Sequence, residues 1–115
     1  MTLFRNTVKL RGFLGRDAEV PTTNDVHWDS FSVLIVCVAT GVWRKKTGEW
    51  ISRTEWHRVI CRGPFFCGLT RGMKRGDYVE VEGELRASES ASEVYALSVH
   101  RLECPPVGVD EGDDG

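Results

Sequence analysis

The sequence predicts an all-β fold in which five strands form a barrel and one short helix lies between the third and fourth strands. Most patterned segments alternate apolar and polar residues with a period of two, which is the periodicity of a β-strand. One segment after the third strand has helical spacing instead. The chain has 115 residues, of which 41% are hydrophobic and 28% are charged, so it can bury one core of ordinary size but not two.

The first three strands lie in the N-terminal half of the chain. Residues 4–14 alternate between a mostly apolar face and a polar face. Residues 31–40 are apolar on both faces, which is typical of a central strand whose second face is covered; a contact between subunits could supply that cover. Residues 43–48 are expected to form a basic hairpin loop with Gly48 in the turn, and residues 50–62 form the returning strand.

The helix and the last two strands follow. Pro64 suits the first helical position, and Gly76 suits the C-terminal stop. The apolar residues at helical spacing are Phe65, Phe66, Leu69 and Met73, of which we expect Phe65 and Phe66 in the core. Residues 79–85 form the fourth strand, and a polar hairpin connects it to the fifth. The alternating apolar residues of the fifth strand are Tyr95, Leu97 and Val99.

This order of elements is that of the OB fold, a five-stranded Greek-key barrel. The helix favours this fold because a helix at this place closes one end of the barrel, whereas an SH3-like barrel or a small sandwich is the alternative architecture. The predicted OB-fold domain spans residues 1–104. Residues 105–115 form a short acidic tail that is rich in glycine, with too little apolar surface to become ordered.

The net charge of −2 conceals two regions of opposite sign. Residues 1–75 hold 13 Lys and Arg against 6 Asp and Glu, whereas residues 76–115 hold 2 against 11. A basic region followed by an acidic end is compatible with a polyanionic ligand. On charge alone, the simpler interpretation is that these groups solvate two surfaces.

Several classes of protein are disfavoured by the sequence. No apolar run approaches the ~20 residues of a membrane span, and residues 1–5 lack signal-peptide organisation, so we expect a cytoplasmic protein without a membrane contact. The four cysteines contain no C-x-x-C pair, and we expect reduced thiols rather than a zinc site or a disulfide framework. No catalytic motif is present, and the three histidines lie in separate segments. We therefore expect no enzyme, no metal and no cofactor.

The third strand carries the pattern that indicates a ligand. Trp56, Arg58 and Arg62 share one face of the strand, and His57 lies on the other. Because burying unpaired arginines is costly, the face with Trp56 is expected to be exposed to solvent. An exposed tryptophan between guanidinium groups suits a flexible polyanion with bases, since each base stacks on an aromatic ring with about 1–3 kcal/mol and each phosphate needs a cation.

Two further tryptophan environments differ in what they indicate. Trp43 repeats the combination of an aromatic ring and adjacent cations, which are Arg44, Lys45 and Lys46. Trp28 and Trp50 are expected to be core residues, because a tryptophan near or in a strand is more often buried than exposed to a ligand.

Two strings of residues then carry a resemblance to a known family. They are T-E-W-H-R-V at residues 54–59 and K-R-G-D-Y-V-E-V-E-G at residues 74–83. With them, residues 4–103 resemble the bacterial single-stranded DNA-binding proteins. The resemblance implies an OB fold, a homotetramer as in most members, with a dimer as the alternative, and sequence-independent binding of single-stranded DNA in replication, recombination and repair.

The resemblance also implies roles for individual residues. Trp43 and Trp56 match base-stacking residues of the family, and His57 and Asn6 match positions at the subunit interface. The positions that contact phosphate are matched by Arg58, Lys74, Arg75 and Arg86. With the basic loop and two further residues of the third strand, the predicted binding set is Trp43, Arg44, Lys45, Lys46, Trp50, Trp56, Arg58, Arg62, Lys74, Arg75 and Arg86.

The sequence departs from the family at two stacking positions. Arg62 stands where the family has an aromatic residue, and Ser90 stands where it has a third tryptophan. Trp50 or Trp28 could compensate, and binding should otherwise depend more on charge than is usual. The long linker of the family is absent, and the acidic tip at residues 110–115 lacks the terminal aromatic residue that docks on replication and repair proteins.

Other functions stay open on the sequence alone. The barrel could be a replication-restart or other protein-interaction module. It could also be an RNA-binding OB domain, because stacking does not depend on the sugar. A small hydrolase is a further alternative. The departures from the family are compatible with a phage, plasmid or paralogous version of it.

Overall fold

Five strands and one helix account for the regular structure in the computed structural model, which describes residues 3–22 and 26–103. The elements are β1 (Val8–Leu14), β2 (Phe31–Arg44), β3 (Glu49–Arg62), α1 (Pro64–Thr70), β4 (Tyr78–Ala87) and β5 (Ser92–Leu102). They form a closed barrel in the order β1-β2-β3-β5-β4, in which β1 also pairs with β4. Only β3 and β5 pair in parallel. The predicted all-β barrel with a helix between the third and fourth strands is confirmed.

The core lies between the inward faces of the strands. Its buried residues are Leu14, Leu34, Val36, Val59, Cys61, Met73, Val79, Val81, Val94 and Val99. Most are valines, whose branched side chains suit a pleated surface. The helix α1 packs against β2 and β3. There the Thr70 hydroxyl is hydrogen-bonded to Ser32 Oγ of β2 (2.8 Å) and, within its own helix, to the Phe66 carbonyl oxygen (2.7 Å). The contact with Ser32 fixes α1 to the barrel in addition to the apolar contacts.

The β2–β3 hairpin is longer than the sequence indicates. β2 continues to Arg44, so Trp43 and Arg44 lie in the strand and not in the predicted loop. The turn contains residues 45–48, where Gly48 adopts a φ of +68°. The strand continues because every residue of β2 has a cross-strand partner in β3, and this pairing outweighs the local preference for a loop.

The helix is shorter than predicted. It ends at Thr70 and not near Gly76, because Gly72 turns the backbone with a φ of +94°. Met73 nevertheless reaches the core from the segment that follows. Phe66 packs against the core, but Phe65 is 74% exposed, so its prediction as a core residue is wrong. A helix of about two turns presents only one side to the barrel.

Strand boundaries and alternation also differ in two places. β1 begins at Val8 and not at residue 4. In β4 and β5 the register shifts between Glu82 and Gly83, which resets the alternation of β5. Val94 and Val99 therefore both face the core, and the strict alternation predicted for the fifth strand is wrong.

The cysteines at positions 37, 61 and 67 are free thiols in the described part of the chain. Cys104 and the predicted tail at residues 105–115 lie outside the described residues. Among the residues that are described, no helix is long and apolar enough to cross a membrane.

Candidate nucleic-acid interface

The β2–β3 ribbon has one face toward the core and another, which we call the outer face, toward solvent. Directly opposed residues of antiparallel strands share a face. Leu34 and Val59 oppose each other in the core, and the pairs between core pairs therefore belong to the outer face. From the turn to the far end of the ribbon, the outer pairs are Trp43–Trp50, Gly41–Ser52, Ala39–Thr54, Cys37–Trp56, Ile35–Arg58, Val33–Ile60 and Phe31–Arg62. One of these pairs, Val33–Ile60, is covered by its neighbours and buried.

Three tryptophans of the outer face are open to solvent. Trp43 is 56% exposed, Trp50 is 58% exposed and Trp56 is 62% exposed. The expectation that Trp56 faces solvent holds, whereas the expectation of a core position for Trp50 is wrong. Trp28, in the loop before β2, is 79% exposed, so its prediction as a core residue is wrong as well. The ribbon arm around Trp50 extends away from the barrel, and no core lies beneath it.

The Trp56 indole lies against Gly15, the residue that follows β1. A Cβ atom added to Gly15 would meet Cζ3 of the indole, would lie 3.0 Å from Cε3, and would lie 2.8 Å from Cys37 Sγ. These separations are shorter than carbon and sulfur atoms tolerate. The absence of a side chain at Gly15 therefore leaves the space that this ring occupies.

The Trp50 indole has a similar position on Gly41. A Cβ atom at Gly41 would lie 2.5 Å from Cε2 and 2.8 Å from Nε1 of the indole. Gly41 is the diagonal neighbour of Trp50 on the outer face, so the ring crosses the ribbon over bare backbone. A glycine inside a strand commonly marks such a close approach.

Lys74 and Arg75 lie beside the segment that supports Trp56. The amide of Gly76 donates to the Leu14 carbonyl oxygen at 2.8 Å. The amide of Arg75 donates to Asp17 Oδ1 at 2.9 Å, and Lys74 Nζ lies 4.0 Å from Asp17 Oδ2. Two cations predicted for phosphate contact thus lie beside the segment that holds Gly15, outside the ribbon.

Three predicted arginines meet where β3, β5 and β4 lie side by side. Arg58 Nε donates to Glu93 Oε2 at 2.6 Å. The guanidinium carbon of Arg86 lies 4.4 Å from the centroid of the Tyr95 ring, and that of Arg62 lies 5.8 Å from the same centroid. Both distances are within the range of cation–π attraction. Tyr95 therefore links two cations that come from separate strands.

The three cations of the hairpin do not all lie on the same side of the ribbon. Arg44 opposes Glu49 in the register, on the face of the ribbon opposite Trp43. Lys45 and Lys46 lie in the turn and are exposed. The structure therefore places the two lysines at the end of the outer face but does not bring Arg44 to the tryptophan side.

The two residues predicted for a subunit interface have partners within the chain. The Asn6 side chain donates from Nδ2 to the Leu85 carbonyl oxygen at 2.8 Å, and its Oδ1 accepts from the Leu85 amide at 2.9 Å. This pair extends the β1–β4 ladder beyond Val8. His57 lies on the face opposite Trp56, with Nε2 3.9 Å from Glu55 Oε1.

The resolved pKa shifts have structural causes. Burial raises the pKa of Cys61 to about 12, and burial also raises the pKa of Cys37. Both thiols are therefore protonated and weakly nucleophilic at neutral pH. A hydrogen bond from Arg11 lowers the pKa of Glu80, and the same bond raises the pKa of Arg11.

Four residues of this interface were missed by sequence reasoning. Phe31 and Tyr95 were assigned only to strands, because their neighbours Arg62 and Arg86 come from other strands and cannot be paired with them before the register is known. Gly15 and the strand glycine at position 41 carried a signal, since a glycine next to a ribbon rich in tryptophan marks a close approach of side chain to backbone.

Metal binding finds no support in the described ranges. Within residues 3–22 and 26–103, no three His, Cys, Asp or Glu side chains gather where they could hold an ion.

Comparisons with known proteins agree with this architecture. A profile described as the single-strand binding protein family matches residues 5–102. Single-stranded DNA-binding protein 1 of Xylella fastidiosa (strain 9a5c) is 34% identical over an alignment of 87 residues, and the match covers 71% of this chain and 59% of that protein. The chain therefore spans less than two thirds of this relative.

Two solved structures share the fold. The Plasmodium falciparum SSB complex with ssDNA superposes with a TM-score of 0.70 and 20% identity, over 90% of this chain and 99% of that chain. The small single-stranded DNA-binding protein from Streptomyces coelicolor gives a TM-score of 0.64 and 14% identity, over 88% of this chain and 95% of that chain. At these identities the likeness concerns the fold, and it confirms the OB barrel.

Proposed function

This chain belongs to the single-strand binding protein family, and from that premise we propose that it binds single-stranded DNA without sequence preference and catalyses no reaction. Bases stack on Trp43, Trp50 and Trp56, and nearby cations neutralise the phosphates. The observation that carries the proposal is the alignment of three exposed indoles on one face of the β2–β3 ribbon. Large exposed apolar groups in a row are unusual on a protein surface without a ligand.

The positions of the indoles suit a flexible strand. Trp50 and Trp56 are six residues apart on β3, which is no more than about 20 Å at 3.4 Å per residue. Each strand of a DNA duplex advances about 3.4 Å per nucleotide, so a strand with that rise needs about six nucleotides to join the two rings. Stacking contributes about 1–3 kcal/mol for each base and does not depend on the base, which accounts for binding without sequence preference.

The indole rings of Trp50 and Trp56 are held in place before a ligand binds. Gly15 supports Trp56 and Gly41 supports Trp50 by close contact with one side of each indole. A ring held in this way loses little freedom when a base stacks on it, and preorganisation of this kind increases affinity.

The cations surround the indoles and are not all equally available. Lys45 and Lys46 in the turn, together with Arg62 at the far end, have no carboxylate within 4.0 Å in the part of the chain that the structure describes. Arg58 is bonded to Glu93 and Arg86 to a glutamate on its own strand. A phosphate has to replace the carboxylates that bind Arg58 and Arg86. Lys45, Lys46 and Arg62 therefore contribute more of the electrostatic attraction to DNA.

The wider role and the assembly belong to the same proposal. The chain acts in replication, recombination or repair as a homotetramer in the cytoplasm, with a dimer as the alternative. His57 lies on the ribbon face away from the tryptophans, where it can contact a second copy without obstructing DNA. Asn6 contributes to the subunit interface indirectly, because its hydrogen bonds to Leu85 hold the N-terminal segment against β4. If replication or repair proteins are recruited, the acidic tail at residues 105–115 is the segment proposed to contact them, without the terminal aromatic residue that the family uses.

A fluorescence titration of the full chain tests this proposal. Oligo-dT, oligo-rU and duplex DNA are added separately at two salt concentrations, and quenching of the tryptophans is recorded. We expect strong quenching by oligo-dT, with an affinity that falls with salt at a slope near ~0.7 for each neutralised phosphate. Equal affinity for duplex DNA would contradict the proposal, and stronger binding of oligo-rU would replace DNA by RNA as the ligand.

A further inference from the structure

Aromatic and cationic side chains alternate across four strands at the end of the outer face away from the turn. We call this set the Phe31 row; it consists of Phe31 on β2, Arg62 on β3, Tyr95 on β5 and Arg86 on β4. Phe31 opposes Arg62 in the register. The guanidinium carbons of Arg62 and Arg86 lie 5.8 Å and 4.4 Å from the Tyr95 ring centroid. The row is therefore continuous from one side of the barrel surface to the other.

We propose that the Phe31 row is a second contact region for the same DNA strand, in which a base stacks on Phe31 and a phosphate binds Arg62. Tyr95 is a positioning residue that holds the guanidinium groups of Arg62 and Arg86 by cation–π attraction. This inference rests on the proposed function, because it assigns a further part of the ligand that the three tryptophans bind.

The exposure of Phe31 is the first argument. As the first residue of β2 it lies on the outer face and is 45% exposed. Its cross-strand partner is a cation and not an apolar residue. A phenyl ring beside a guanidinium reproduces the combination found at Trp56 and Arg58, which is the combination that suits a stacked base and its phosphate.

The electrostatics of Arg62 are the second argument. Of the arginines near the row, Arg58 and Arg86 have glutamate partners, whereas Arg62 has no carboxylate within 4.0 Å among the described residues. Its side chain is directed toward the Tyr95 ring, which attracts the guanidinium without neutralising its charge. Arg62 therefore keeps a full positive charge that complements a polyanion.

The position of the row is the third argument. Trp56 and Arg62 are six residues apart on β3, so the row lies about as far beyond Trp56 as Trp50 lies on the other side, roughly 20 Å. Between Trp56 and the row, the Val33–Ile60 pair of the same face is buried, so a strand that follows the ribbon from Trp50 to Trp56 crosses this closed apolar pair before it reaches Phe31. Contact regions at even spacing suit a ligand whose nucleotides repeat.

The test compares variants of the full chain on a short and a long oligonucleotide. Phe31→Leu removes the ring and keeps an apolar side chain, and Phe31→Tyr is its matched control because it keeps the ring. Tyr95→Leu and Tyr95→Phe form a second pair with the same logic. Each is titrated with (dT)4, which covers about 14 Å when stacked, and with (dT)20, and thermal unfolding midpoints verify that each variant folds.

We expect Phe31→Leu to weaken (dT)20 binding by about 5- to 150-fold, the equivalent of one stacked base, with an unchanged salt slope. Tryptophan quenching by (dT)4 at the ribbon should be unchanged, and Phe31→Tyr should bind like the wild type. Arg62→Gln should instead reduce the salt slope by about 0.7. Tyr95→Leu should weaken (dT)20 binding and lower the slope, whereas Tyr95→Phe should do neither.

Three results separate the failure of this inference from the failure of the proposed function. If wild type and all variants bind (dT)20 equally well, the Phe31 row is not a contact region although the chain binds DNA. If the wild type itself does not bind (dT)20, the proposed function fails first. If Phe31→Leu leaves binding intact but changes the mass measured by light scattering, the row is a contact between copies of the chain, and the inference is overturned.

Discussion

Replacing Gly15 by alanine tests whether the position of the Trp56 ring, and not only its presence, determines binding. The new Cβ atom would collide with Cζ3 of the indole and would lie 2.8 Å from Cys37 Sγ. The ring has to move by more than about 1 Å to restore an ordinary carbon separation of 3.5–4.0 Å at its nearest atom. Because the indole is 62% exposed, it can tilt outward without disrupting the core.

The expected effect is on affinity more than on stability. A displaced ring loses part of the ~1–3 kcal/mol that stacking contributes, so Gly15→Ala should weaken oligo-dT binding by several-fold and by no more than Trp56→Ala does. The unfolding midpoint should change little, because the entropic gain of a Gly→Ala change, about 0.4–1 kcal/mol, offsets the strain of moving one exposed ring.

The assay is the anisotropy of a labelled oligo-dT, with thermal unfolding of each variant measured in parallel. Gly68→Ala is the matched control, since a Cβ atom at Gly68 on α1 meets nothing within 4 Å. It should bind like the wild type and be slightly more stable, because alanine favours a helix. Unchanged affinity of Gly15→Ala, in a chain whose Trp56→Ala variant binds poorly, would refute the argument that Gly15 positions the ring.

Three further predictions concern charge and thiol chemistry. Glu93→Gln removes the carboxylate that binds Arg58. We expect oligo-dT binding to become about two- to fivefold tighter at low salt, since exposed ion pairs contribute up to about 1 kcal/mol. Weaker binding would contradict this expectation and show that Glu93 positions Arg58 for DNA. The bond from Arg11 lowers the pKa of Glu80, so near the ordinary pKa of a glutamate the folded state binds fewer protons than the unfolded chain. Stability should therefore fall as the pH drops through that range. Urea unfolding should show that Glu80→Gln loses less stability than the wild type as the pH falls. The same dependence of stability on pH in both proteins would contradict the assignment of this loss to Glu80. Because burial raises the pKa of Cys61 to about 12, peptide mass mapping after iodoacetamide treatment at pH 8 should find Cys61 unmodified in the folded chain and modified in urea; rapid labelling of the folded chain would contradict its burial.

The order of elements could be predicted from the sequence because each strand carries its own period-two pattern and one face of each is buried. The same patterns placed Trp56 and Arg58 on the exposed side of β3. Element ends were less accurate. The pairing of β2 with β3 extends β2 to include Trp43, and the short α1 leaves Phe65 exposed. Neither outcome could be predicted from the local sequence, because both depend on contacts with other elements.

The parts of the interface that span several strands could not be predicted. The bulge near Gly83 changes which side chains of β5 face outward, and no local pattern announces a bulge. Tyr95 meets Arg62 and Arg86 only because three strands are adjacent in the barrel. Trp50 was expected in the core because tryptophans usually are, and its exposure follows from a ribbon arm that extends beyond the barrel.

The most direct test of the central claim compares the two faces of one ribbon. Trp56→Ala removes a ring from the outer face, and Val42→Ala removes an exposed apolar side chain, 64% exposed, from the opposite face. The affinity of each variant for oligo-dT is measured at fixed salt. The account predicts a loss of at least about fivefold for Trp56→Ala and none for Val42→Ala, and equal affinities for both variants and the wild type would contradict it.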